Sequence, residues 1–238
     1  MANERPHVIG RARAGTGVEI DEGLRAYMLK IYNYMGLALG VTGAVAFAVA
    51  SSPAMMQAIH GTALAWVVML APLAFILVLS FGINKLKVGT AQLLFWLFAG
   101  AMGLSLSWIF AVYTGTSIAR VFFITAGVFG AMSLYGYTTK RSLSGLGSFL
   151  FMGLIGLIIA SVVNMFLASS ALHFVISVVG VLVFVGLTAY DTQAIKSIYS
   201  AADDSETYGK KAIMGALKLY LDFINLFIML LHLFGDRR

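Results

Sequence analysis

The sequence predicts an all-α integral membrane protein, a bundle of seven transmembrane helices, and three observations carry that expectation. Of the 238 residues, 60% are hydrophobic and only 11% are charged, with a mean hydropathy of +0.91. A soluble domain averages about 25% charged residues, so this chain cannot cover itself with water-compatible surface. Seven apolar stretches, at about 29–50, 62–81, 90–113, 121–137, 146–168, 171–190 and 212–234, approach the roughly 20 residues that cross a bilayer as a helix. Between them there is no soluble domain, no low-complexity segment and no clear internal repeat.

Residues 1–27 read as a polar cytosolic tail, and residues 28–238 as the transmembrane domain. The tail gives way to helix at DEGLRAY, where Asp21 and Glu22 suit a helix N-terminus. In the first stretch, Ala48, Val49 and Ala50 before Ser51 resemble a signal-peptidase site. A signal h-region, however, is about 7–15 residues long behind a short basic leader. Here the run is longer and so is the leader, so the stretch is read as a span. Gly36, Gly40, Ala44 and Ala48 repeat small residues at every fourth position, the pattern of a close helix-packing face. Pro72 in the second stretch predicts a kink and frees a backbone carbonyl. Trp66, Trp108 and Tyr113 suit the membrane interfaces.

Charge sets the orientation. With the N-terminus in the cytosol, 13 of the 16 Lys and Arg residues fall inside, and only Arg120, Arg237 and Arg238 fall outside. The positive-inside rule therefore favours a cytosolic N-terminus, and seven spans place the C-terminus outside. The net charge of +6 is accounted for by topology, and no nucleic-acid partner is expected. The chain has no Cys, which excludes disulfides, thiolate metal sites and a Cys nucleophile. No H-E-x-x-H, P-loop or dinucleotide fingerprint occurs, and His7, His60, His173 and His232 show no ligand spacing. His232 is expected near the outer interface. The chain is expected to be no enzyme and to have no cofactor or resident metal.

LKLYLDFINLF, at 217–227, raises the functional question. A charge at the middle of a spanning helix costs about 2.5–3.5 kcal/mol on insertion scales, so Asp222 should face the bundle interior or water. Lys218, Asp222 and Asn225 form one polar stripe at helical spacing. Lys218 can snorkel to the cytosolic interface, leaving Asp222 about 6 Å deeper. The sixth stretch offers a partner in GLTAYDTQAIK, at 186–196, read as helix to about Ser200. There Lys196 marks the interface and Asp191, after Tyr190, lies about 7.5 Å above it. Two antiparallel neighbours thus each carry an Asp deeper than a Lys. Their carboxylates can meet at matching depth and share a proton, because two such groups in a poorly solvated site cannot both ionise cheaply. The simpler alternative puts Asp191 in the connecting loop and pairs Asp222 with Lys218 in its own helix.

Two named chemistries place similar residues here. Intramembrane aspartyl proteases use a Tyr-Asp on one helix and a Gly-x-Gly-Asp on the next. Tyr190-Asp191 matches the first half, but LYLD lacks the glycines of the second and no Pro-Ala-Leu follows. A retinal protein needs a Schiff-base lysine with a counter-ion. Lys218 sits near the membrane end, and the third stretch offers no acid.

GLTAYDTQAIK and LKLYLDFINLF together resemble the paired signatures of the Bax inhibitor-1 family, and YNYMGLALGVTG in the first stretch resembles its bacterial members. The resemblance covers about residue 20 to the end. It implies a seven-helix bundle wrapped around the seventh helix, in a bacterial inner membrane. It further implies a pH-sensitive calcium leak gated by a di-aspartyl pair, which maps onto Asp191 and Asp222, with Tyr190, Lys196, Lys218 and Asn225 in support. The family's basic latch residue has only Lys85 and Lys87 as candidates. The alternative implied by some bacterial relatives is a non-conducting modulator of a membrane-bound quality-control protease. The charged insert AADDSETYGKK, at 201–211, is the segment expected to vary the gate or a partner contact.

Overall fold

A backbone inside hydrocarbon has no water to bond to, so each apolar stretch must satisfy its own N–H and C=O groups as helix. The computed structural model describes the backbone from Thr16 and the side chains from Glu22 to Arg238. Of the polar tail expected over 1–27, residues 1–15 lie outside the described residues. Nine helices follow among the described residues: α1 (Thr16–Ala50), α2 (Pro53–His60), α3 (Leu64–Gly82), α4 (Val88–Leu106), α5 (Ile109–Val112), α6 (Gly115–Thr138), α7 (Ser144–Leu167), α8 (Ser170–Ser197) and α9 (Ser205–Phe234). Seven spans are long and apolar enough to cross a membrane, with α4 and α5 together making the third. No strand occurs among the described residues, only an isolated bridge between Tyr113 and Arg237.

Helix ends fall where the sequence supplies caps. Ser52, Thr114, Ser169 and Asp204 each accept a hydrogen bond from the amide three residues on, the N-cap arrangement. The start of α4 has no such residue of its own. Glu206 of α9 reaches across instead and accepts from the Val88 amide at 2.8 Å. The helix of the first span begins at Thr16, so Asp21 and Glu22 lie inside it rather than at its start. Pro72 is accommodated within α3, which continues through it.

Helix α9 packs against α8, α1, α6 and α4. In its most apolar window 67% of residues are buried, against 17% in α3 and α7. The buried positions of α9 run around its circumference, from Ala212 and Ile213 to Leu230 and Leu231. By contrast, α3 and α7 present Phe81 and Phe166 outward, where lipid tails suit them.

One sequence expectation fails here for a physical reason. Gly36, Gly40, Ala44 and Ala48 are exposed, and a Cβ at Gly36 or Gly40 would meet no neighbouring atom. The packed face of α1 is instead Tyr27, Ile31, Met35, Ala38, Thr42 and Val49. Lipid is as apolar as a protein interior, so no hydrophobic force decides which apolar face turns inward, and side-chain fit decides it. Tyr113 follows directly on the third span and is buried, with Gly235 against its ring and Arg237 over it.

Close helix approach occurs elsewhere. A Cβ at Gly136 of α6 would collide with the Ala189 carbonyl of α8, and one at Gly147 of α7 with the Tyr190 ring. These glycines seat α8 between α6 and α7 at the level of Tyr190 and Asp191.

Candidate functional site

The rotation of α9 is set by a buried polar contact. The Thr42 hydroxyl donates to the Ala99 carbonyl at 2.8 Å, and the Tyr220 hydroxyl donates to Thr42 Oγ1 at 2.7 Å. This holds Tyr220 toward α1 and α4. Two residues on, about 200° around the helix, Asp222 is turned to the opposite side, toward α7 and α8.

A second contact sets α8. Tyr32 of α1 bonds Ser133 of α6, the Ser133 hydroxyl lies 2.9 Å from Thr192 Oγ1, and Thr192 donates to the Thr188 carbonyl at 2.8 Å. With Thr192 facing α6, its neighbour Asp191 is turned toward α9.

Between them lies a cavity of about 580 Å³. It is walled by Gly147, Ser148, Phe151 and Leu154 of α7, by Phe184, Leu187, Tyr190 and Asp191 of α8, and by Lys218, Leu221, Asp222 and Asn225 of α9. Asp191 is 8% exposed and Asp222 is 5% exposed. Lys218 Nζ donates to Asp191 Oδ1 at 2.9 Å. The lysine side chain is half-exposed, so this pair stands at the edge of the bundle and is partly screened. Asp222 Oδ2 is buried and has no hydrogen-bond partner among the described residues. The Asn225 amide donates to the Leu221 carbonyl of its own helix at 2.8 Å.

The structure therefore gathers Tyr190, Asp191, Lys218, Asp222 and Asn225 around one cavity. Asp191 lies within α8 and not in a loop, and Lys218 is bonded across the helix interface rather than to Asp222. Lys196 is elsewhere. It donates to the Tyr137 carbonyl at 2.8 Å and lies 4.9 Å from the centre of the Tyr137 ring, closing the end of α6. Lys85 lies in the α3–α4 connection and Lys87 at the N-cap of α4, and neither lines the cavity. The cross-helix role of Lys218 was concealed by its spacing to Asp222. A four-residue step suggests an intrahelical pair, although a lysine stem reaches a neighbouring helix as easily.

Chemically, the site offers two carboxyl groups, one amide, one ammonium, the Ser148 hydroxyl and the Tyr190 phenol in a largely apolar enclosure. Hard oxygen donors of this type suit Ca²⁺, which takes 6–8 of them. Among the described residues no group of three or more His, Cys, Asp or Glu side chains is placed to hold a metal.

Seven apolar spans with a buried acidic pair between the last two helices, and a half-exposed lysine bonded to one of the acids, define a polytopic membrane protein with an ionisable intramembrane site. The chain belongs to the Bax inhibitor-1 family: the family model of the inhibitor of apoptosis-promoting Bax1 matches residues 24–238. It is 54% identical over 218 residues to the uncharacterized protein RP147 of Rickettsia prowazekii, covering 92% of each chain. The inner membrane protein YbhL of Escherichia coli K12 is 49% identical over 229 residues, covering 95% of this chain and 98% of YbhL. A membrane protein of Streptococcus pyogenes serotype M3 is 36% identical over 218 residues, covering 90% of this chain and 94% of that one.

Proposed function

We propose that the protein is a non-enzymatic, proton-modulated cation leak of an inner membrane, with calcium as a permeant ion and Asp191 and Asp222 as its gating pair. The observation that carries this reading is the burial of both carboxyl groups beside one cavity, with Asp222 Oδ2 lacking any hydrogen-bond donor among the described residues. An intramembrane acid at such a cost is retained for a pathway or a proton relay more often than for packing. Lys218 spans the α8–α9 interface through Asp191. A proton taken up at the pair alters the charge that lysine sees, and with it the hold between the two helices. Inner-membrane placement rests on the similarity to YbhL. The cytosolic N-terminus and external C-terminus rest on the charge bias.

A second reading, the non-conducting modulator of a membrane-bound protease, is favoured by the exposed row Gly36, Gly40, Ala44 and Ala48. Small residues at that spacing let a partner helix approach closely. The two readings separate in liposomes containing only the purified chain and a trapped calcium indicator. A leak conducts without a partner. Liposomes no more permeable than empty ones would remove the first reading.

A further inference from the structure

The opposite ends of α8 and α9 carry a second polar cavity, of about 460 Å³, that the leak does not use. Its walls come from the α7–α8 turn (Asn164, Ala168, Ser169 and Ser170), the first turn of α8 (His173 and Phe174), the last turn of α9 (His232) and the chain end (Arg237). One of these side chains is a guanidinium and two are imidazoles, and no acid lines the cavity. The nearby carboxylate, Asp236, is already bonded to Arg120 at 2.8 Å. The His173 and His232 rings are 4.6 Å apart, and His173 Nε2 is buried with no hydrogen-bond partner among the described residues.

Each element arrives there for a separate reason. Arg237 is held by the bridge to Tyr113 and lies over that ring. The Asn164 side chain accepts from the Ser169 amide at 3.0 Å and shapes the turn, in which Ala168 takes a left-handed conformation (φ 49°). Ser169 then caps α8, which presents the positive end of a 28-residue helix to the same space.

A cation would meet Arg237 and find only two imidazoles. An anion would meet a guanidinium, two rings able to donate, a serine hydroxyl and a helix N-terminus. Donors arriving from three sides, in a space larger than a carboxylate needs, match a tetrahedral oxyanion. We propose that this cavity binds a phosphate group, held by Arg237, His173 and His232 at the N-terminus of α8. Phe174 in its wall is an exposed aromatic side chain, so the phosphate can belong to a lipid headgroup or be free in solution.

The test uses the purified full chain in detergent with ¹⁵N-labelled histidine, reading the imidazole resonances. One arm titrates inorganic phosphate, and the other titrates phosphatidylglycerol into phosphate-free micelles. Saturable shifts of His173 and His232, with His60 unmoved, support the site. Response to inorganic phosphate identifies a soluble ligand, and response to the lipid alone identifies a headgroup. Arg237→Gln should weaken binding about tenfold, since it removes one charge-assisted contact. Because Arg237 also packs on Tyr113, His173→Gln serves as a second variant and should weaken binding independently. No saturable shift in either arm, or binding unchanged in both variants, overturns the proposal. So does saturation of the two rings by Zn²⁺ with none by phosphate.

Discussion

Helices α8 and α9 form one antiparallel pair with a polar cavity at each end, and the two cavities differ in kind. Toward the lysine-rich end, about 580 Å³ is lined by two acids and a lysine. Toward the chain end, about 460 Å³ is lined by two histidines and an arginine. The acids stand on helix interiors, fully inside their spans, where nothing but a partner can relieve them. The basic groups stand at helix ends, where turns, a helix N-terminus and the chain end meet. The same two helices thus supply a site whose charge must be managed internally and one whose charge invites a ligand. Position along the span makes the difference, since residue type alone would call both polar.

The most damaging way to break this comparison is to force α8 away from its neighbours. Gly136→Val places side-chain atoms against the Ala189 backbone, which cannot yield as a flexible side chain would. Overpacking of this kind costs about 3 kcal/mol. A lowered thermal midpoint in detergent, with collapse of the acid cavity, is expected. Gly89→Ala, where a Cβ meets nothing, should leave the midpoint unchanged or higher.

A smaller effect comes from the α9 rotation. Tyr220→Phe removes the hydroxyl that bonds Thr42 and leaves Thr42 to Ala99 alone. About 1 kcal/mol of stability should be lost. Because Tyr220 and Asp222 face opposite sides, this variant should also blur the proton response of any flux.

Lys218→Met separates the two ends. It strips Asp191 of its donor while leaving the cavity at the chain end untouched. The pair is half-exposed on the lysine side, so the loss in stability should stay near 1 kcal/mol or below. The pH profile of flux should shift, whereas the His173 and His232 resonances should not.

The smallest effect is expected at the start of α9. The hydroxyl of Thr207, and after it the Thr207 amide, hold the exposed Asp204 carboxyl below its usual range. A depressed carboxylate stabilises the helix start above its ordinary titration range, and that contribution disappears as pH falls through its lowered value. Asp204→Ala should therefore speed amide hydrogen exchange over residues 205–208 at neutral pH, and the difference should vanish in acid.

Much of this organisation could be read from residues alone. The seven spans, the helical placement of Asp191 and the polar stripe of Lys218, Asp222 and Asn225 follow from hydropathy and 3.6-residue spacing, which are local. Partner choice is not local. Lys218 faces two acids within reach, and only the packing of α8 on α9 shows that it bonds Asp191. The hydroxyls of Tyr32, Ser133 and Thr192 lie more than fifty residues apart, and their chain has no signature in any one helix. The small-residue row on α1 misled because a face suited to close packing need not be used within the chain that bears it. The His173–His232 cavity was invisible for a related reason: its members are separated by a whole helix pair and meet only when both helices have folded.

The central claim is that Asp191 and Asp222 act together as the proton-sensitive element of a cation path. Calcium flux should be measured in liposomes holding wild type, Asp191→Asn or Asp222→Asn, between about pH 6 and 8, a range that coupled carboxyl groups can reach. Asn keeps the size and some of the hydrogen bonding of Asp, so circular dichroism should report intact folds. Wild-type flux should change across this range, and both variants should lose most of that change, whether they leak constantly or not at all. Variants that both kept the wild-type profile would contradict the account and leave the two carboxyl groups a purely structural role.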